Sequence, residues 1–273
     1  MRVFVTMLRL DAREGFRATA WWWLAALGFA LFLQAMFALS MAGADLPPAT
    51  WADYLAYAFM GSEDTPAGRF PLPVAWLGLL MVALFLVLWY PYRDLMGAGQ
   101  RLLVLGGNRW TWWSAKVAWV TLCVAAFWLL LAGMALVFCV VLGGEVSAVV
   151  GQAPGIAANL EPSLLPPVPG DGAVFVVGTL VALIALALLQ LTVSLVASPV
   201  VGFGVSVGLL VCTVFLDTPW LAPVYLMGAR CDPVVAGGWD PLAGIGVSLA
   251  VCAASVIAGG LYFSTMNILP KER

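Results

Sequence analysis

The chain has 273 residues, of which 63% are hydrophobic and only 10% charged, with a net charge of −2. Soluble domains carry about 25% charged residues, so this composition describes a membrane protein and offers nucleic acid no overall attraction. With no histidine anywhere, His-ligated metal, Ser-His and Cys-His nucleophile pairs and His proton relays are excluded.

Residues 1–18 come first. At about 100° per residue, Arg2, Thr6, Arg9, Arg13 and Arg17 gather on one arc. Phe4, Val5, Met7, Leu8 and Ala12 cover much of the rest, and Asp11 and Glu14 interrupt the apolar side. The pattern is read as an amphipathic interfacial helix. A juxtamembrane basic cluster that only sets topology is the plainer alternative. Charges every few residues, followed by a full-length apolar run, do not resemble a secretory signal.

Six apolar segments follow, at about 21–42, 72–90, 117–142, 173–197, 200–216 and 242–266, none with a charged residue. Each approaches the ~20 residues a helix needs to cross a bilayer. The fold class is therefore an all-α membrane protein with six transmembrane helices in a single domain. Ser198-Pro199 marks a tight hairpin between the fourth and fifth. The segments 1–20, 91–116 and 267–273 together hold ten basic and four acidic residues, whereas 43–71, 143–172 and 217–241 hold two basic and ten acidic. That asymmetry places both termini in the cytoplasm. The tryptophans cluster at the ends of the apolar runs, as an aromatic belt requires.

The cysteines have no CxxC or metal-ligand spacing, and only Cys231 lies in a polar stretch, so neither a disulfide framework nor a metal site is expected. Gly204-Val-Ser-Val-Gly208 is a literal G-x-S-x-G. Without His, Ser206 has no evident base, and Gly204 and Gly208, like Gly259 in the last run, read as helix-packing residues. No catalytic and no cofactor-binding residue is assigned. Gln34, Gln190 and Thr192 are the most polar residues inside the runs. They either bond between helices or line a translocation path. The lack of any charged residue in the runs argues against an ion-coupled carrier.

The 26-residue segment 91–116 carries Arg93, Arg101, Arg109 and Lys116 with three tryptophans. Asp94 to Leu105 has helical potential, and Gly106-Gly107-Asn108 breaks it. Six spans, an amphipathic first helix and a basic loop between spans two and three resemble the ABC-2 family of ATP-binding-cassette transporter permeases. The loop offers Asp94, Gly97 or Gly99, Leu102-Leu103, a Gly-Gly-Asn turn, Arg109 and Lys116. The family's usual turn proline, and the Gly-Thr that often follows the acidic position, are missing.

The resemblance implies a cytoplasmic coupling helix within 91–116. Asp94, Gly97, Arg101, Leu102, Arg109 and Lys116 would form the interface to a separate ATPase. It also implies a short re-entrant segment in 217–241. The chain would be a non-catalytic permease in a bacterial plasma membrane, paired with a second permease, identical or homologous, and two ATPase subunits. ATP and Mg would bind those subunits, since no G-x-x-x-x-G-K-[ST] occurs here. The substrate would be hydrophobic or amphipathic, such as an antimicrobial peptide or a drug. The alternative from another class is a six-span assembly or sensor protein without transport activity.

Overall fold

The computed structural model describes residues 2–43, 47–63, 72–97, 99 and 108–266. Helix α1 (Arg2–Ala18) passes at Thr19 into α2 (Ala20–Met41). Then come α3 (Trp51–Ala58), α4 (Val74–Leu86), α5 (Tyr90–Leu95) and α6 (Arg109–Val141). A two-stranded antiparallel ladder, β1 (Val149–Val150) with β2 (Gly170–Asp171), brackets the short α7 (Ala153–Ala157). The chain ends with α8 (Ala173–Val196), α9 (Pro199–Phe215) and α10 (Pro241–Thr265).

Among the described residues, five helical stretches are long and apolar enough to cross a membrane: α2, α4 with α5, α6, α8 and α10. Helix α9 is apolar but has 17 residues, about 26 Å at 1.5 Å per residue against a ~30 Å hydrocarbon core. Leu24, Leu31, Leu39, Leu129 and Leu249 are all about half exposed or more. Such large apolar surface suits lipid rather than water.

Helix starts follow the local chemistry. Asn108 caps α6 by accepting from the N–H groups of Trp110 and Thr111, Ser198 caps α9 ahead of Pro199, and Asp240 caps α10 ahead of Pro241. Each satisfies orphan donors of a first turn, and proline at the first helical position loses nothing. Because Asn108 is the cap, α6 begins eight residues before the expected span at 117. Its 33 residues extend about 50 Å, so the TWWS stretch and Lys116 lie on a helix rather than in a loop.

The expected span at 72–90 is broken. Pro91 has no N–H and its ring presses on the carbonyl one turn back. The helix gives way at 87–89, where Leu88 bonds the Phe85 carbonyl three residues away.

Helix α8 is the centre, packed by α6, α9 and α10. At the acidic end the three long connections interlock. Asp53 of α3 accepts from the N–H of Gly151 (2.7 Å). Gly228 and Ala229 donate to the carbonyls of Phe59 and Met60, and Ala236 donates to Leu164. In 217–241 the chain forms two 3-10 turns, Ala222–Leu226 and Gly228–Arg230. Every residue from 222 to 231 is buried.

Candidate functional site

At the basic end, three helices meet on one buried ammonium. Lys116 of α6 is 1% exposed. Its Nζ lies 2.5 Å from Asp11 Oδ1 of α1 and 2.8 Å from Asp94 Oδ2 of α5. Tyr90 OH donates to Asp11 Oδ1 (2.9 Å), and Trp112 Nε1 donates to Asp94 Oδ2 (2.9 Å). The Tyr90 and Trp112 rings flank the ammonium at 5.0 and 5.2 Å, where a ring quadrupole attracts a cation. Tyr90 and Asp94 are four apart on α5, as Trp112 and Lys116 are on α6, so each helix presents one ring and one charge on the same face.

Glycine permits the close approach. A Cβ at Gly15 would overlap the Trp119 indole, so glycine at that point lets α1 lie close on α6. A Cβ at Gly99 would collide with Asp94 Oδ2 and Trp112 Nε1, so Gly99 lies directly against the ion pairs. Gly97 closes the end of α5, its N–H on the Asp94 carbonyl (3.0 Å).

Two carboxylates and one ammonium leave one negative charge in excess. Burial pushes the Asp11 carboxyl above its usual range, against the pull of Lys116 and the Tyr90 hydrogen bond. Asp11 Oδ2 is buried with no hydrogen-bond partner among the described residues.

Of the six expected interface residues, Asp94, Gly97 and Lys116 belong to this node. Lys116 is turned inward, because two carboxylates and two rings enclose it, so it presents no surface to another protein. Arg109 is also used within the chain. Its Nη1 donates to the carbonyls of Phe263 (3.2 Å), Ser264 (2.8 Å) and Met266 (2.8 Å). It thereby caps the C-terminus of α10, where orphan carbonyls and the helix dipole favour a cation. Arg101 and Leu102 lie outside the described residues.

The intramembrane polar residues separate in role. Gln190 Nε2 donates to the Leu84 carbonyl (2.9 Å), the acceptor that α4 frees where it breaks before Pro91. Thr192 Oγ1 lies 2.9 Å from the Ser255 carbonyl and 3.0 Å from that of Leu188, joining α8 to α10. The Gln34 amide is buried with neither end partnered among the described residues.

The expected packing at Gly204 and Gly208 is not found within this chain. A Cβ at either would meet nothing within 4 Å, because both face outward from α9. Gly202, on the opposite side, is the close contact: a Cβ there would overlap Ser194 of α8. Gly259 lies under the Trp113 ring. Ser206 is buried, and its hydroxyl has no hydrogen-bond partner among the described residues.

At the acidic end, Arg230 mirrors Arg109. It donates to the carbonyls of Thr213 (2.8 Å) and Val214 (2.7 Å), closing α9, and to Ser62 (3.2 Å), with Asp217 at 3.6 Å. Burial pushes the Cys231 thiol up to about 12, so it stays protonated and unreactive at neutral pH. No group of three or more His, Cys, Asp or Glu able to hold a metal occurs among the described residues.

Sequence reasoning missed Asp11, Tyr90 and Pro91. Asp11 did leave a signal: an acid on the buried side of an amphipathic helix requires a buried cation. Compared with protein-family models, with curated proteins and with solved structures, the chain has no match.

Proposed function

We propose that this chain is the permease subunit of an ATP-binding-cassette exporter of the ABC-2 kind, moving a hydrophobic or amphipathic substrate while a separate subunit hydrolyses ATP. The observation that supports it is the node at Lys116. It ties α1, α5 and the start of α6 into one unit, and residues 98–107 connect Gly97 to Asn108 in sequence. A force applied to that segment would reach three helices together, and α10 through Arg109. Packed elements joined in this way move as rigid bodies rather than bending.

In this reading α9 is the sixth span, at the short limit of ~17 residues. The basic end is cytoplasmic, and two permeases assemble with two ATPases, which bind ATP and Mg. The exposed face of α9 at Gly204 and Gly208 is available to a second permease.

The test replaces 98–107 with a Gly/Ser segment of equal length, leaving Asp94, Asn108 and Lys116 in place. The substituted protein is expected to fold and to lose co-purification with an ATPase that the wild type retains. Retention of the ATPase by the substituted protein sinks the coupling role. Failure of the wild type to retain any ATPase sinks the transporter reading itself.

A further inference from the structure

Two clefts adjoin beneath α1. The larger, of about 410 Å³, is bounded by Met7, Leu10 and Glu14 of α1 and by the Asp11–Lys116–Asp94 node. The smaller, of about 230 Å³, lies where α1 turns into α2 and faces the break between α4 and α5. Its walls include Thr19, Trp22, Phe85 and Trp89. Ala18, Tyr90 and Arg93 line both, so they form one groove with Arg93 at its middle.

The groove changes character along its length. The smaller cleft is aromatic, with Trp22 and Phe85 in ring contact at 4.2 Å. It lies among tryptophans that are open to the surroundings, Trp21 at 82% and Trp89 at 43%, as at a headgroup boundary. Arg93 is exposed, and its side chain makes no hydrogen bond or ion pair with a described residue. The larger cleft carries Asp11, Glu14 and Asp94 against Lys116, and Lys116 is already spent on two of them. Asp11, 95% buried, lines that cleft, and its Oδ2 has no hydrogen-bond partner among the described residues.

A ligand that completes this groove has three parts in order. It needs apolar bulk against the tryptophans, an anion for Arg93, and a cation bearing N–H groups for Asp11 and Glu14. An anionic headgroup would satisfy Arg93 and then meet the excess carboxylate. A quaternary ammonium supplies charge but no hydrogen to the buried oxygen.

We propose that the groove beneath α1 binds an amine-headgroup phospholipid, with its phosphate on Arg93, its ammonium donating to Asp11 Oδ2 and facing Glu14, and its glycerol and first acyl carbons against Trp22, Phe85 and Trp89. A charge-assisted hydrogen bond in such a setting corresponds to about a tenfold or greater change in affinity. The site is independent of whether an ATPase docks on this chain.

The test is native mass spectrometry of delipidated, detergent-purified full-length protein. It is titrated with phosphatidylethanolamine, phosphatidylcholine and phosphatidylglycerol of identical acyl chains, and separately with soluble phosphoethanolamine. Phosphatidylethanolamine is expected to bind about tenfold more tightly than phosphatidylcholine. Glu14→Gln, an exposed position, should shrink that ratio, and Asp11→Asn should abolish it where circular dichroism shows the variant folded. Arg93→Gln should weaken all three lipids. Equal binding of the amine and choline lipids, or tighter binding of phosphatidylglycerol, would overturn the proposal. So would an unchanged Arg93→Gln variant. Phosphoethanolamine competing as well as the intact lipid would overturn a lipid as the occupant.

Discussion

Replacing Lys116 with Met tests the node directly. The change keeps the length of the side chain and its fit between the Tyr90 and Trp112 rings, but removes the charge. Asp11 and Asp94, both within 2.8 Å of the missing ammonium, are then left without a counter-ion. Removing one partner of a buried ion pair costs about 3–5 kcal/mol, because the other charge stays desolvated. In a chain of this size each kcal/mol shifts Tm by roughly 2–4 °C, so a loss on the order of 10 °C is expected.

The acid dependence has a definite sign. Burial already raises the Asp11 pKa, and removing Lys116 raises it further. A carboxyl whose folded pKa lies above its unfolded value of 3.8 adds stability when protonated. That contribution is complete below the unfolded pKa and is lost as pH rises through the folded pKa. The variant should therefore regain part of its deficit on going from pH 8 to pH 5. Adding Asp11→Asn to Lys116→Met should recover part of the loss at pH 8, and the two changes should be strongly non-additive. The assay is thermal unfolding in mild detergent, followed by circular dichroism. A Lys116→Met protein within 1 kcal/mol of the wild type, with no recovery at pH 5, would refute the closed node.

Further outcomes follow from the packing. Gly15→Val should push α1 off the Trp119 indole, seen as faster proteolysis within residues 2–18 while the remaining helices resist. Gln190→Leu should leave the Leu84 carbonyl without its donor, at a cost of about 1–3 kcal/mol in denaturant unfolding. Gly202→Leu should disrupt the α8–α9 hairpin by about 1–3 kcal/mol or more through overpacking. Gly204→Leu and Gly208→Leu should leave the stability of the single chain within about 0.5 kcal/mol. If they instead abolish assembly of the purified complex, that exposed face of α9 is where a second chain sits.

Much of the helical layout was legible in advance because it rests on local chemistry. Apolar length locates α2, α8 and α10 to within a residue or two. The prolines and caps at Ser198-Pro199 and Asp240-Pro241 mark where α9 and α10 begin. The break before Pro91 was also available from local rules, but a nearly unbroken apolar run concealed it. The site was legible only in part. Asp94 and Lys116 stand out in the sequence by their charge but read as a cytoplasmic interface to another subunit, and Asp11 reads as an interruption of the apolar side of α1.

By itself the sequence determined that this chain is a helical membrane protein. It also determined where its long helices run, and that its basic residues collect at one set of connections and its acidic residues at the other. Only the tertiary structure decided which faces meet. It set Asp11 against Lys116 across 105 positions, Gln190 against the opened turn of α4, Arg109 on the end of α10, and Gly202 rather than Gly204 against α8. The reason is physical. In a soluble helix an apolar stripe points to the core. A helix that is apolar all round carries no such mark, because lipid tails and neighbouring helices are equally apolar. The choice of face then falls to a few small residues, rings and paired charges, whose partners lie far away in the chain.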